Sequence, residues 1–212
     1  MQNAVMPNDA ERIIGMYRRH ASAWAAARTD QPHDPPVEAA WLDRFRRLLP
    51  ANPRVLDLGC GTGAPIGGTL VAQRCQLTGV DSSPEMIAIC KARLPEQVWH
   101  VADMRTLSLG RVFDGILAWN SFFHLCHEDQ RRMFAIFRSH AAAGAALLFT
   151  SGTHHGVAMG ELEGEPLYHA SLDSAEYRAL LIQNGFNIIA HAVEDPECSG
   201  HTIWLSQLEW PE

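Results

Sequence analysis

Apolar positions along this chain follow two rhythms. Near the N-terminus Ile14, Tyr17, Ala21, Trp24 and Arg28 recur every three to four residues, one stripe of a helix, and Val37, Trp41, Phe45 and Leu48 repeat that spacing up to Pro50. Between the two stripes Pro32, Pro35 and Pro36 make residues 29–36 linker-like. After Pro53 the rhythm changes. Short apolar runs at 54–58, 76–80, 98–101, 113–119 and 145–150 read as strands, and they alternate with helical stretches at 66–72, from 82 onward and at 128–140. In Ser82-Ser83-Pro84-Glu85, Ser82 is expected to cap a helix while Glu85 reaches back. Residues 173–184 read as a helix capped by Asp173 with Glu176 and stopped by Gly185. Two further runs, 186–193 and 201–207, follow it.

Strands alternating with helices imply a parallel sheet covered on both faces. The last two runs have no room for a helix between them and must pair antiparallel. The expected fold is therefore α/β: a doubly wound, seven-stranded, mostly parallel sheet with a reversed C-terminal strand and an N-terminal helical cap. We expect a single domain over 1–212, with the cap at 1–50 and the Rossmann-like core at 51–212. Ligands of such sheets bind beyond the carboxyl ends of the parallel strands.

Composition narrows the partners. The 212 residues are 47% hydrophobic and 19% charged, which excludes a disordered chain. Seventeen Lys+Arg against 24 Asp+Glu give a net charge of -7, unlike a general nucleic-acid binder. The basic groups at Arg44, Arg46, Arg47 and at Arg131, Arg132 read as solvated helix faces. The longest apolar stretch, 141–149, falls far short of the ~20 residues of a membrane span, and residues 1–11 contain no apolar signal core. The five cysteines are dispersed and odd in number, which suits neither a disulfide framework nor a zinc knuckle. A cytoplasmic protein is expected, with no nucleic-acid or membrane partner; the oligomeric state is not legible.

The first core strand runs into Gly59-Cys60-Gly61-Thr62-Gly63-Ala64, where glycines let the backbone approach a ligand at the start of a helix. This loop also fits the dinucleotide fingerprint, with Asp81 placed to hold a ribose. Alone, it does not choose a cofactor. Asp57 weighs on the choice: a carboxylate two residues before the first glycine would repel a pyrophosphate and attract an ammonium. Asp103, ending the third strand, can accept from an adenine amino group. Pro65, Gly67 and Gly68 weaken the helix after the loop, which disfavours a pyrophosphate further.

The segment Val55-Leu56-Asp57-Leu58-Gly59-Cys60-Gly61-Thr62-Gly63 resembles motif I of the Rossmann-like (class I) S-adenosylmethionine-dependent methyltransferases, in their small bacterial form. Gly79-Val80-Asp81-Ser82-Ser83-Pro84-Glu85-Met86 resembles their acidic second-strand loop, Ala102-Asp103-Met104 their adenine-side loop, and residues 113–119 their fourth strand. The resemblance implies that Asp57 with Gly59, Gly61 and Gly63 holds the methionine part of S-adenosylmethionine, and that Asp81, beside Ser82, takes both ribose hydroxyls. Met86 would pack near the adenine, Asp103 and the Met104 backbone would read its edge, and the backbone near Trp119 would meet the amino acid end. Tyr17, Trp24 and Arg28 resemble the N-terminal helix that closes over this site, with Arg28 near the cofactor carboxylate. S-adenosylhomocysteine would be the product.

Methyl transfer to a protonated nucleophile needs a base as well as alignment. Five of the eleven histidines fall on loops expected at the carboxyl strand ends, and a base poised near neutral pH is the functional reading. His124 is the first catalytic candidate, followed by His169 and His201. Asn120, Phe123, His154 and Tyr168 are the expected acceptor contacts, and Trp119, Phe122, Phe123 and Tyr168 suggest an aromatic wall. No metal is expected, since adjacent His154 and His155 point apart. Residues 156–166, with Glu161, Glu163 and Glu165, read as a glycine-rich loop, lid or partner surface. The expected function is methyl transfer to a small-molecule acceptor. The alternatives are an NAD(P)-dependent oxidoreductase and a non-catalytic S-adenosylmethionine-binding regulator.

Overall fold

The computed structural model describes residues 9–29 and 37–210, with side chains at 10–26 and 37–210. Most of the linker expected at 29–36, and the Arg28 side chain, lie outside the described residues. Two helices come first, α1 (Asp9–Thr29) and α2 (Ala39–Arg47). The core then runs β1 (Arg54–Leu58), α3 (Ile66–Ala72), β2 (Gln76–Asp81), α4 (Pro84–Arg93), β3 (Val98–Val101) and β4 (Phe113–Ala118). It continues through α5 (His127–His140), β5 (Ala141–Ser151), β6 (Gly156–Leu162), β7 (Glu165–Ser171), α6 (Ser174–Gln183), β8 (Phe186–Asp195) and β9 (His201–Leu208).

Seven strands form one sheet in the order β3-β2-β1-β4-β5-β9-β8. The pairings among the first five strands are parallel, and β9 runs antiparallel to both β5 and β8. This is the expected architecture, including the reversed final strand. Central strands show why. In β1 every residue after Arg54 is buried, because both faces of the sheet are covered and no polar alternation survives.

Each face has its own core. On one, Trp41, Leu42 and Phe45 of α2 pack with Leu70 of α3 and Ile87 of α4. On the other, Met133, Phe134 and Phe137 of α5 meet Tyr177 and Leu181 of α6, with Phe149 and Trp204 of the sheet. Gln130 of α5 stitches the second face together: its amide N–H groups donate to the carbonyls of Leu125 (2.8 Å) and Ala170 (2.9 Å), and its oxygen accepts from Tyr177 Oη at 2.6 Å.

Two readings of the sequence are corrected. Residues 156–166 are not a loop: β6 and β7 pair antiparallel from Gly156–Ser171 to Leu162–Glu165, with Glu163 and Gly164 at the turn. The hairpin is stabilised by packing on α1, where Ile13 and Met16 form a small cluster with Tyr168 and Ala170. Helix α4 is capped by Ser83 rather than Ser82. Ser83 is extended (φ -92°, ψ 115°) immediately before Pro84, and its Oγ accepts from Met86 N at 3.2 Å while donating to Glu85 Oε2 at 2.9 Å.

Helix α1 presents two lines. Ile13, Met16, Ala21 and Ala25 are buried, whereas Ile14, Tyr17 and Trp24 of the expected stripe are half-buried and face a cleft. Polar clasps hold this helix down: Arg19 and His20 both donate to Glu165 of β7, and Glu11 pairs with Arg105 after β3. Among the described residues no helix is long and apolar enough to cross a membrane.

Candidate functional site

The carboxyl ends of β1, β2, β3 and β4 form the floor of a cleft of about 1170 Å³, and α1 forms its roof. The glycine loop after β1 is pinned by its own backbone, with Gly59 and Cys60 N–H donating to Val80 O at 2.8 and 3.1 Å. Gly59 has φ +72°, and a Cβ there would stand 2.3 Å from Ser121 Cβ, so only glycine fits. Ser121 in turn donates from Oγ to Leu58 O at 2.6 Å, tying the loop after β4 to the end of β1.

Two carboxylates share the floor. Asp81 Oδ2 accepts from Gly61 N and its Oδ1 from Ser83 N, both at 2.9 Å. Burial raises the Asp81 pKa, and these amides offset only part of that effect. Asp57 is 3% exposed and lines the cleft, yet no donor among the described residues reaches it. Burial, then the neighbouring Asp81 charge, push its pKa up to about 7. Cys60, also on the cleft, is held as a thiol, chiefly by burial.

Asp103, Met104, Ser82 and Met86 line the far end. Burial alone would raise Asp103, but Arg105 donates from its backbone N (2.9 Å), Nε and Nη2, and holds the carboxyl below its ordinary range. Arg105 also pairs with Asp129 and Glu11, closing that end of the cleft beneath α1.

At the near end stands His124, 6% exposed. Its Nδ1 lies 2.8 Å from Tyr168 O, which can only accept, so Nδ1 carries the proton. Nε2 therefore accepts from Tyr17 Oη at 3.0 Å. Burial lowers the His124 pKa to about 3. The base poised near neutral pH is thus corrected: this imidazole is neutral at physiological pH, and it anchors α1 to the hairpin through Tyr17.

Of the expected cofactor contacts, Tyr17, Trp24, Asp57, Gly59, Gly61, Asp81, Ser82, Met86, Asp103, Met104 and Trp119 all line the one cleft, as do Asn120 and His124. Gly63 does not. Its φ of +71° faces the space a Cβ would share with Trp99 and Cys90, so it packs the loop against α4 and β3.

Five other expected contacts sit away from the cleft wall. Tyr168 is buried in the α1–hairpin cluster and offers His124 its carbonyl. His169 and Phe123 stand behind His124, with ring centroids 4.9 and 5.1 Å from their neighbours, and burial lowers His169. His201 donates Nδ1–H to Cys198 O at 2.6 Å and stacks on the outer side of Trp119, centroids 5.8 Å apart. His154 is exposed and bonds to Thr153. Phe122, read as part of an aromatic wall, is fully buried core. Sequence reasoning missed Arg105 and Asp129; only the Asp103-x-Arg105 spacing offered a local signal. Among the described residues no group of three His, Cys, Asp or Glu side chains converges as a metal set.

Residues 55–144 match a family model described as a methyltransferase domain. A Saccharopolyspora spinosa dTDP-4-amino-2,3,4,6-tetradeoxy-D-glucose N,N-dimethyltransferase is 30% identical over 128 residues, 59% of this chain and 51% of that protein. The chain thus spans about half the length of the curated relatives it matches. Among solved structures, an amino pentose methyltransferase from Micromonospora echinaspora superposes with a TM-score of 0.69 at 21% identity, covering 98% of this chain and 99% of its own. The Burkholderia thailandensis 1,6-didemethyltoxoflavin-N1-methyltransferase gives 0.73 at 14% identity, covering 99% and 93%. Residues 55–144 thus match a methyltransferase domain, and the whole fold is the Rossmann-like fold of these solved methyltransferases.

Proposed function

We propose that this protein transfers a methyl group from S-adenosylmethionine to a small-molecule amine or hydroxyl. One observation carries the reading: a buried carboxylate, Asp57, opens onto a cleft beside a second carboxylate and has no donor among the described residues. A pyrophosphate there would meet the Asp81 charge and keep Asp57 from ionising, whereas an α-ammonium pairs with Asp57 as a carboxylate. The cofactor, when bound, supplies an electrophilic methyl on a sulfonium.

The chain's own residues do the rest. Asp57 and the loop at Gly59 and Gly61 bind the amino acid end. Asp81 keeps a lone pair on each oxygen beyond the amides it accepts, which suits two ribose hydroxyls. Met86 and Met104 would flank the adenine, and Asp103, stiffened by Arg105, would read its edge. Trp24 and Tyr17 roof the site and exclude water. The Tyr17 hydroxyl is the polar group that α1 brings to the acceptor side, and the neutral His124 Nε2 behind it fixes its orientation.

The small-molecule class is supported by the matched relatives, whose names specify amino sugars and a magnesium porphyrin. The test is calorimetric titration of S-adenosylhomocysteine, NADH and NADPH, followed by a screen for S-adenosylmethionine turnover with small amines and alcohols. Binding of the homocysteine compound alone, with turnover, supports the proposal. Binding of a nicotinamide cofactor instead overturns it in favour of an oxidoreductase. Binding without turnover across the screen leaves a non-catalytic regulator.

A further inference from the structure

Of the two acids on the floor of the cleft, one is solvated by the protein and one is not. Asp81 receives two backbone N–H groups. Asp57, on the neighbouring strand, receives none from the described residues. The charged and titratable groups around it offer no compensation. From β2 comes Asp81, a like charge, and from the loop comes the neutral thiol of Cys60. From α1 comes Tyr17, whose hydroxyl donates to His124, and from the turn after β4 comes His124 itself, neutral. The one described cation lining the cleft, Arg105, is consumed by Asp103, Glu11 and Asp129 at the far end. A carboxylate this buried, with no described donor and a like charge nearby, keeps its proton to well above the usual carboxylate range until a cation arrives.

Resting on the proposed cofactor, we infer that binding of S-adenosylmethionine or S-adenosylhomocysteine is coupled to the release of one proton from Asp57, which the free protein holds as a carboxylic acid and which meets the ligand's α-ammonium as a carboxylate. The O–H bond of the acid breaks, its electron pair stays on the carboxylate oxygen, and the proton passes to buffer. The direction agrees with burial and Asp81 raising the Asp57 pKa to about 7. Release is then about 0.9 proton per ligand at pH 6 and about 0.1 at pH 8, and affinity weakens about 25-fold from pH 7.5 to pH 5.5.

The test is calorimetry of the whole protein with S-adenosylhomocysteine at pH 6, in buffers of differing ionisation enthalpy. The slope of observed against ionisation enthalpy counts the protons. A slope near one is expected, falling toward zero at pH 8. 5′-Methylthioadenosine, which keeps the ribose and adenine but lacks the ammonium, is expected to bind with no release; equal release with it would move the proton to Asp81 and overturn the assignment. Asp57→Asn is expected to abolish release and the pH dependence of affinity together. S-adenosylhomocysteine binding with zero slope at pH 6 overturns the coupling and leaves the cofactor reading intact, whereas failure of both ligands to bind overturns both.

Discussion

Replacing Asp57 by Asn should make the protein more stable, and more so at high pH. This side chain is 3% exposed, lies beside Asp81 and has no donor among the described residues. Its pKa rises from 3.8 to about 7 on folding. An acid whose folded value is raised contributes fully below its unfolded value and loses that contribution as pH climbs through the folded one. With about 1.4 kcal/mol per unit, Asp57 burdens the fold by about 4 kcal/mol at pH 8, where it is ionised, and by about 2 kcal/mol at pH 5, where the folded protein must keep a proton that the unfolded chain releases. Asparagine keeps the shape and carries no charge. Thermal unfolding of wild type and Asp57→Asn at both pH values reads the difference, at about 2–4 °C per kcal/mol for a chain of this size. The comparison isolates Asp57, because the pH-dependent contribution of His124 is common to both proteins. A variant that is destabilised at pH 8, or equally shifted at both pH values, refutes the argument.

Three further outcomes follow from the same geometry. Asp81→Ala should weaken S-adenosylhomocysteine binding by about 1–3 kcal/mol in calorimetry, since it strands ribose hydroxyls and two loop amides. His124→Ala should slow methyl transfer more than it weakens cofactor binding, and wild-type activity should show no limb near pH 6.5 from this residue, whose pKa lies near 3; a pH–rate profile with such a limb that vanishes in the variant would contradict the neutral tautomer. Gln130→Leu should lower stability by about 3 kcal/mol in urea unfolding, because it removes the Gln130 donors from the Leu125 and Ala170 carbonyls and the acceptor that receives the Tyr177 hydroxyl at 2.6 Å in the second core.

What was legible in the sequence was local. The glycine loop, Asp57, Asp81 and Asp103 each lie within a few residues of a strand end, and a strand end fixes where such residues point. The sheet followed from the alternation of short runs with helices, because parallel strands must be covered on both faces. The hairpin at β6 and β7 escaped because β6 has no alternating burial to detect: its residues are half-buried or exposed throughout. Three glutamates and three glycines in 156–165 read as loop, and only pairing with β7 and packing on α1 make strands of them. The cap of α4 turned on which of two adjacent serines precedes Pro84, a distinction of one residue that the capping pattern does not resolve.

The histidines show the limit most clearly. Counting them at strand ends found the right neighbourhood for His124, but the expected chemistry, a base near neutral pH, assumed a solvated ring. The ring's proton is fixed by a carbonyl 44 residues away in the chain, and its other nitrogen by a tyrosine 107 residues away. His201 likewise starts a strand on the correct side of the sheet, yet Trp119 stands between it and the cleft. A residue's place at a strand end is set by the few residues around it, whereas its protonation and its line of sight are set by partners that only the folded chain brings together. A base assigned from position alone therefore has to be re-derived once its donors and acceptors are known. Here that step transfers the exposed polar function from the imidazole to the Tyr17 hydroxyl that it supports.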